Sequence, residues 1–581
     1  MSRHEAHARA EARAPVSDPS LAPYREVTVA SLVLGILVGI VLTASMTYAG
    51  LLIGFVVPAS AIAAILGWGL LRGVMRRGTI VENNVNQTVA SAVNNTAAGV
   101  IFTFPALFLM EGVSYNPWAI AVAAVSGAFL GTLFIIPLRK QMIELERLRF
   151  PSGIAVAEIL RTPGASSKKS LYLLGASVVA FVVGFLTNSG AIPEAVDLGT
   201  PLGLPAYVPN VWAISLLSIG AGFLSGRAGL VVLAGGVLAN WVLAPLVVSL
   251  GWVPPAPEGV ENPDAVLAGT IFKEMIRPLG IGLLVGGAVA GVALAAPMIR
   301  AAFASLKSAG PGKGNDELPI GWMYGATLGS LVLLFAAAYL GAPEVGLFRA
   351  TLTAVFGTLW MWLAGVIVSQ CTGMTDWSPV SGLSLLAVTV VLVISGGSVG
   401  LAVMIGAAVC VAIGQGADMM TDLKTGHLVG SRPVLQQAVQ LAVGWIGPIV
   451  SVLTVYLIWE TMGFGPGTSI PATQAVALQQ TIQAIQGGDV PVDKYAVGAL
   501  VGALLTFGAG GGLGVLVGLS MYLPIDYVLP YGLGCLLAMA VQRRPEGKAF
   551  TANVGIPIAA GFLVGDSLAG VIFSLIRLFG G

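Results

Sequence analysis

Thr28-Val-Ala-Ser-Leu-Val-Leu-Gly-Ile-Leu-Val-Gly-Ile-Val-Leu-Thr-Ala-Ser-Met-Thr-Tyr-Ala-Gly50 contains no charged side chain. The hydrocarbon core of a bilayer takes ~20 apolar residues of helix, so this run is long enough to cross it. It exceeds the apolar core of a signal peptide and has no convincing small-residue cleavage site, so it is expected to stay as the first membrane helix. Residues 1–26 are hydrophilic, with Arg3, Arg9, Arg13 and Arg25 alternating with acids and with His4 and His7. They read as a short disordered cytoplasmic tail.

The same character extends through all 581 residues. Apolar types make up 56% and charged types only 9%, against roughly 25% charged in a soluble domain. A water-facing surface for a chain of this size cannot be built from so few charges, so a soluble enzyme and a single-pass receptor are both excluded. Further candidate spans lie at about 51–71, 84–110, 118–138, 171–187, 210–225, 228–250 and 276–300. In the second half they lie at about 320–340, 350–369, 379–395, 398–415, 434–460, 496–512, 515–541 and 555–578. The expectation is an all-α polytopic membrane protein of about 14 to 16 helices. Gly is abundant at 77 residues. Pairs four apart (Gly35/Gly39, Gly282/Gly286, Gly510/Gly514, Gly514/Gly518) suit close helix crossings in lipid.

Basic residues cluster at 72–77, 139–149, 161–169, 227 and 300–313, while 193–197 and 257–264 carry acids without bases. With the amino terminus inside, each basic cluster of the first half falls on the cytoplasmic side. In the second half Arg543, Arg544 and Lys548 land outside on an eight-helix count, which points to a miscounted hairpin near Phe507–Gly518 or Tyr522–Pro530. Residues 27–310 and 311–581 read as two diverged repeats, each with a polar-rich third span and a charged segment after its fourth. A repeat with its substrate between the halves is the usual plan of a secondary transporter.

Polar groups in hydrocarbon are costly unless they pair or face a cavity, so their positions direct the search for a site. The segment from Val81 to Thr96 is the densest. On a helix Asn83, Gln87, Ser91 and Asn94 or Asn95 share one stripe, with Glu82 and Asn86 beside it. Carboxamides offer donors and acceptors together, which suits a zwitterionic or peptide-like ligand; interhelical hydrogen bonding is the plainer reading. Leu148-Arg-Phe-Pro-Ser-Gly153 interrupts one helix and starts another, exposing Ser152 and backbone groups at the break. Glu158 and Arg161 lie at pairing distance along that next helix. Asp376, among hydroxyls in Ser369-Gln-Cys-Thr-Gly-Met-Thr-Asp-Trp-Ser-Pro379, can accept a cation or a proton, or cap the following helix. Asp418 and Asp422 stand four apart near Lys424 and His427, so proton coupling and a surface ion pair are both open. Asp566 lies deep in an apolar span.

Net charge is +1 and no basic patch suggests nucleic acid. Cys371, Cys410 and Cys535 lack metal or disulfide spacing. There is no Walker A loop and no His-Glu-x-x-His, and with three His in all neither an ATP-driven pump nor a zinc peptidase is expected.

At these same segments the chain resembles the oligopeptide transporter (OPT) family, in particular its yellow stripe-like branch and bacterial relatives. The likeness lies in Phe134-Ile-Ile-Pro-Leu-Arg-Lys-Gln-Met-Ile143, Leu148-Arg-Phe-Pro-Ser-Gly-Ile-Ala-Val-Ala-Glu158, Cys371-Thr-Gly-Met-Thr-Asp-Trp377 and Asp418-Met-Met-Thr-Asp-Leu-Lys-Thr-Gly-His427, with fainter matches at Glu82 to Thr88 and at Gly565-Asp566. The peptide branch's Asn-Pro-Gly and Lys-Ile-Pro-Pro-Arg signatures are absent, and the chain lacks the long extracellular loops of the plant members. The resemblance implies a non-enzymatic, proton-coupled symporter of small oligopeptides or peptide-like compounds in a bacterial inner membrane. Metal–chelate import is the alternative, and a passive channel a lower one. Expected to bind substrate are Asn83, Asn84, Asn86, Gln87, Asn94, Asn95, Ser152 and Asp376. Candidates for the coupling proton are Glu82, Glu158, Asp418, Asp422 and Asp566. No cofactor or metal beyond the proton is expected; the partners are the substrate, the bilayer and, as a candidate, a second copy of the chain in a homodimer.

Overall fold

The computed structural model describes residues 25–580 except 55, 57–58, 77, 111, 114, 254–262, 295–296, 298–316, 376–379, 488–490 and 510–511. Asp376 and most of the amino-terminal tail therefore lie outside the described residues.

The first helix, α1 (Val29–Ile53), begins where Thr28 accepts the Ser31 amide at 3.1 Å and Ser31 returns the bond to the Thr28 amide at 3.0 Å. This reciprocal cap satisfies two donors that the helix start leaves open. The helix ends at Gly54, whose φ of 78° lies in the left-handed region that glycine adopts without strain. Its two ends define a near face, at Thr28, and a far face, at Gly54.

Behind α1 follow α2 (Ser60–Trp68), α3 (Ile80–Asn94), α4 (Thr96–Ile101), α5 (Pro117–Ile135), α6 (Pro151–Arg161), α7 (Pro163–Asn188), α8 (Leu216–Val237) and α9 (Arg277–Leu294). The second half contributes α10 (Ile320–Gly341), α11 (Leu347–Thr375), α12 (Val380–Ile394), α13 (Val399–Val429), α14 (Pro433–Val443), α15 (Ile446–Thr461), α16 (Thr473–Ile485), α17 (Val492–Ala509), α18 (Leu513–Tyr522), α19 (Ile525–Gln542) and α20 (Ile556–Gly580). A short antiparallel ladder pairs β1 (Ala195–Asp197) with β2 (Val211–Ala213). Twelve helical stretches among the described residues are long and apolar enough to cross a membrane, and two shorter apolar helices, Ser60–Val74 and Gly382–Ile394, accompany them. The chain is a multi-pass integral membrane protein.

Two expected spans take other forms, and two others meet at a glycine. Residues 84–110 form α3, α4 and a further turn, because Asn94–Asn95 and Phe102–Phe104 interrupt the helix. The two spans expected at 210–225 and 228–250 are both present, as two helical arms within Leu216–Ser249 that meet at Gly226 (φ 53°, ψ −132°), after which the chain turns back and Trp241 Nε1 donates to the Pro209 carbonyl at 2.8 Å. The span expected at 515–541 divides between α18 and α19 at Leu523–Pro524, where proline has no amide to continue the ladder. Because α19 starts near the far face, beside Ser469 and Tyr48, its other end brings Arg543, Arg544 and Lys548 to the near face with Arg139 and Arg161.

Helices from the two ends of the chain interleave: α7 packs on α20, α8 on α19, α9 on α17 and α5 on α13. The core is thus shared between residues 27–310 and 311–581. Glycine permits the closest approaches. A Cβ at Gly35 would stand 2.6 Å from Val89 Cβ, and one at Gly131 would stand 2.2 Å from the Ala412 carbonyl. The 31-residue α13 is the most enclosed of the long helices and carries the acid on which the site turns.

Candidate functional site

The Thr79 hydroxyl accepts the Glu82 amide and starts α3. From Glu82 onward all its residues are buried, though amides dominate its sequence. Such a helix is stable in lipid only if neighbouring helices meet its side chains. On one side Asn83 Nδ2 donates to the Ala64 carbonyl of α2 at 3.1 Å. On the other, Asn84 Nδ2 donates to Ser431 Oγ at 3.0 Å, and Gln436 Nε2 reaches Thr88 Oγ1 at 2.9 Å. At the near face the Thr28 hydroxyl donates to Glu82 at 2.5 Å.

At the centre stands Asp422 of α13, with a relative exposure of 0%. Gln87 Nε2 of α3 donates to its Oδ1 at 2.6 Å, and Gln440 Nε2 of α14 donates to its Oδ2 at 3.1 Å. Gln436, one turn before Gln440, donates to the Asp422 main-chain carbonyl at 3.1 Å. Three helices therefore converge on one carboxylate through neutral amides, and among the described residues no base forms an ion pair with it. A carboxylate so placed is costly when charged unless it is paired or faces a cavity.

Along the same seam the side-chain oxygens of Asn84, Asn86, Gln87, Asn94, Gln436 and Gln440 have no hydrogen-bond partner, and Gln415 has none at either end of its amide. Asn95 Nδ2 donates to Ser91 Oγ at 3.1 Å, and Ser91 in turn meets Ser60 of α2 at 3.0 Å. The helices are packed tightly here: a Cβ at Gly67 would lie 2.0 Å from Asn83 Oδ1.

The structure thus gathers Asn83, Asn84, Asn86, Gln87, Asn94, Asn95 and Asp422 into one seam, with Glu82 at its near-face end and Asp418, half-buried, one turn from Asp422 on α13. Ser152 is half-buried at the start of α6. There the Gly153 carbonyl accepts Thr425 Oγ1 at 3.0 Å, and Phe150, with φ 46°, donates its amide to the Gly373 carbonyl at 2.9 Å. Glu158 stands apart on the surface, its side chain 67% exposed and 3.7 Å from Arg161. Asp566 is also apart, toward the far face, where it accepts the Leu217 amide at 2.8 Å and the Ser215 hydroxyl at 3.4 Å and so caps α8. It borders a small pocket lined by Tyr48, Asn188, Glu194, Ser215 and Tyr527 among others.

Sequence reasoning missed Gln415, Gln436 and Gln440. The signal was present in Pro433-Val-Leu-Gln-Gln-Ala-Val-Gln440, where two glutamines recur at helical spacing in an otherwise apolar segment. Among the described residues no three His, Cys, Asp or Glu converge as a metal site would require.

A Haemophilus influenzae protein provisionally named an oligopeptide transporter is 28% identical, over 91% of this chain and 92% of its own length. A Saccharomyces cerevisiae protein with the same provisional name is 22% identical over 94% of this chain and 95% of its own length. A protein of Oryza sativa subsp. japonica, provisionally named a metal-nicotianamine transporter, is 26% identical over 75% and 70%. The model of one family, described as OPT oligopeptide transporter protein, matches residues 26–577, and the chain belongs to that family of membrane transporters.

Proposed function

We propose that the chain is a proton-coupled symporter that imports small oligopeptides or peptide-like compounds across the inner membrane of a bacterium. The observation that supports this most is Asp422: one buried acid, deep in a membrane helix, held by glutamine amides from two other helices. When Asp422 is ionised, the two amide donors draw α3 and α14 onto α13. When it is protonated its hydroxyl becomes a donor, and the unpartnered oxygens of Gln87 and Gln440 become possible acceptors, so the three helices gain a second arrangement. A proton taken on one side and released on the other would thereby shift helices that also contact substrate. One charge moved through a membrane potential gains about 2.3 kcal/mol per 100 mV, enough for roughly fifty-fold accumulation.

In this reading Asn83, Asn84, Asn86, Gln87, Asn94 and Asn95 contact substrate once α3 parts from α2 and α13, with Ser152 at the start of α6, and Asp376 is a further candidate contact. The near face, with Arg139, Arg161, Arg543 and Arg544, is cytoplasmic by the excess of bases there. Import of metal chelates is the second reading. It is favoured by the rice relatives, whose names assign them metal-nicotianamine.

The test is uptake by purified protein in liposomes of tri- to pentapeptides, glutathione and an iron chelate, with and without an inward acid gradient. The expected result is gradient-driven accumulation of one class by wild type. Asp422→Asn should lose accumulation and keep substrate exchange. Flux of every compound indifferent to the gradient would remove the symport reading.

A further inference from the structure

The hydrogen bonding around Asp422 is lopsided. The carboxylate fixes the orientation of both glutamines that touch it, since only their NH2 ends can donate to a negative oxygen. Their carbonyl oxygens are then left over, and both are buried without a partner. An amide oxygen lies about 2.2 Å from its nitrogen, so each stands close to the charge that its nitrogen binds. The imbalance runs along the whole seam: seven side-chain carbonyl oxygens, from Asn84, Asn86, Gln87, Asn94, Gln415, Gln436 and Gln440, lack a partner, against one amide nitrogen, that of Gln415.

Two of these acceptors belong to the amides that touch Asp422, a carboxylate with no cationic partner among the described residues, and the combination suits a species that brings positive charge and takes oxygen ligands. Hard cations bind carboxylates and carbonyl oxygens in this way, and carbonyl dipoles can replace the water shell of a monovalent ion. The remaining ionisable groups nearby are Asp418, one turn away on α13, and Lys424, two residues on; α3 and α14 present amides and hydroxyls to Asp422, with Glu82 at the near-face end of the seam. A single buried carboxylate among neutral oxygens matches one positive charge rather than two. A transition metal is disfavoured because no cluster of three ligating side chains stands among the described residues.

We propose that Asp422 binds a hard monovalent inorganic cation between its carboxylate and the side-chain oxygens of Gln87 and Gln440. The site joins α3, α13 and α14 around one ion. It builds on the coupling role given to Asp422 but is tested without substrate or gradient, so the two fail separately. Loss of cation binding would leave proton-driven uptake measurable, and loss of proton-driven uptake would leave cation binding measurable.

The experiment uses the full chain purified in detergent at one fixed pH, with sodium, potassium or choline chloride at equal ionic strength. Thermal unfolding and retention of radiolabelled sodium, or of rubidium as the potassium probe, are read together. Wild type is expected to gain Tm in sodium or potassium over choline and to retain the corresponding label; which of the two acts identifies the ion. Asp422→Asn, close in shape, should abolish both responses. Gln440→Met removes one oxygen ligand at similar length and should weaken retention by about tenfold, which keeps the test open if Asp422→Asn does not fold. Equal Tm and no label in all three salts, or a cation response that survives both substitutions, would overturn the proposal.

Discussion

At the residue scale the tightness of the amide seam rests on a glycine. Gly67 of α2 faces Asn83 and Asn86 so closely that a methyl group would stand 2.0 Å from Asn83 Oδ1 and 2.3 Å from Asn86 Nδ2. Neither amide can swing aside cheaply. Asn83 Nδ2 is tied to the Ala64 carbonyl at 3.1 Å, and Asn86 Nδ2 leans on Asn83 Oδ1 at 3.4 Å. Gly67→Ala is therefore expected to destabilise by about 1–3 kcal/mol, the usual range for overpacking. Gly73→Ala is the control, since nothing stands within 4 Å of a Cβ there, and it should leave stability within about 0.5 kcal/mol of wild type. Thermal unfolding of both variants in the same detergent decides the matter. Equal Tm values would mean that α2 and α3 separate more easily than their packing indicates.

At the element scale the near face is closed by side chains from segments far apart in sequence. Arg139, at the end of α5 and 2% exposed, donates from Nε to Glu317 at 2.5 Å and from Nη2 to Glu144 at 2.9 Å. Gln437 of α14 donates to the same Glu317 and accepts the Leu318 amide at 3.0 Å. The segment leading into α10 is thereby fastened to α5 and α14, beside the helix that carries Gln440. The two signs of charge are not equally buried, because the Glu144 and Glu317 side chains keep 35% and 18% exposure. Removing the acids leaves a buried guanidinium, while removing the base leaves acids that reach water. Glu144→Gln with Glu317→Gln should therefore cost about 3 kcal/mol, and Arg139→Met distinctly less. Chemical unfolding of the two variants reads the difference, and a larger loss for Arg139→Met would show that the guanidinium, not its burial, governs the contact. This arrangement was invisible in the sequence. Arg139 and Glu317 are 178 residues apart, and periodicity carries no information about which loops meet.

At the scale of the whole molecule, composition and run length were enough for the membrane class, and the first helix lies within a few residues of the expected run. The stripe on α3 was legible because helical periodicity is local. The partnership of Gln87 with Asp422 was not, because it joins residues 335 apart. Topology was misread where proline alters the chain's course without altering hydropathy: at Leu523–Pro524, inside the Tyr522–Pro530 stretch suspected of a miscounted hairpin, one expected span is two helices. The consequence falls on Arg543, Arg544 and Lys548, which the eight-helix count put opposite the other bases and the fold puts beside them. Single cysteines can test this, since Cys371, Cys410 and Cys535 are all buried. Arg76 and Lys548 are exposed at the near face, Asp197 and Glu344 at the far face. With the near face cytoplasmic, an impermeant thiol reagent added to intact cells should label Asp197→Cys and Glu344→Cys and reach Arg76→Cys and Lys548→Cys only after permeabilisation. Labelling of Lys548→Cys together with Asp197→Cys in intact cells would restore the eight-helix count and place α20 in the opposite sense across the membrane.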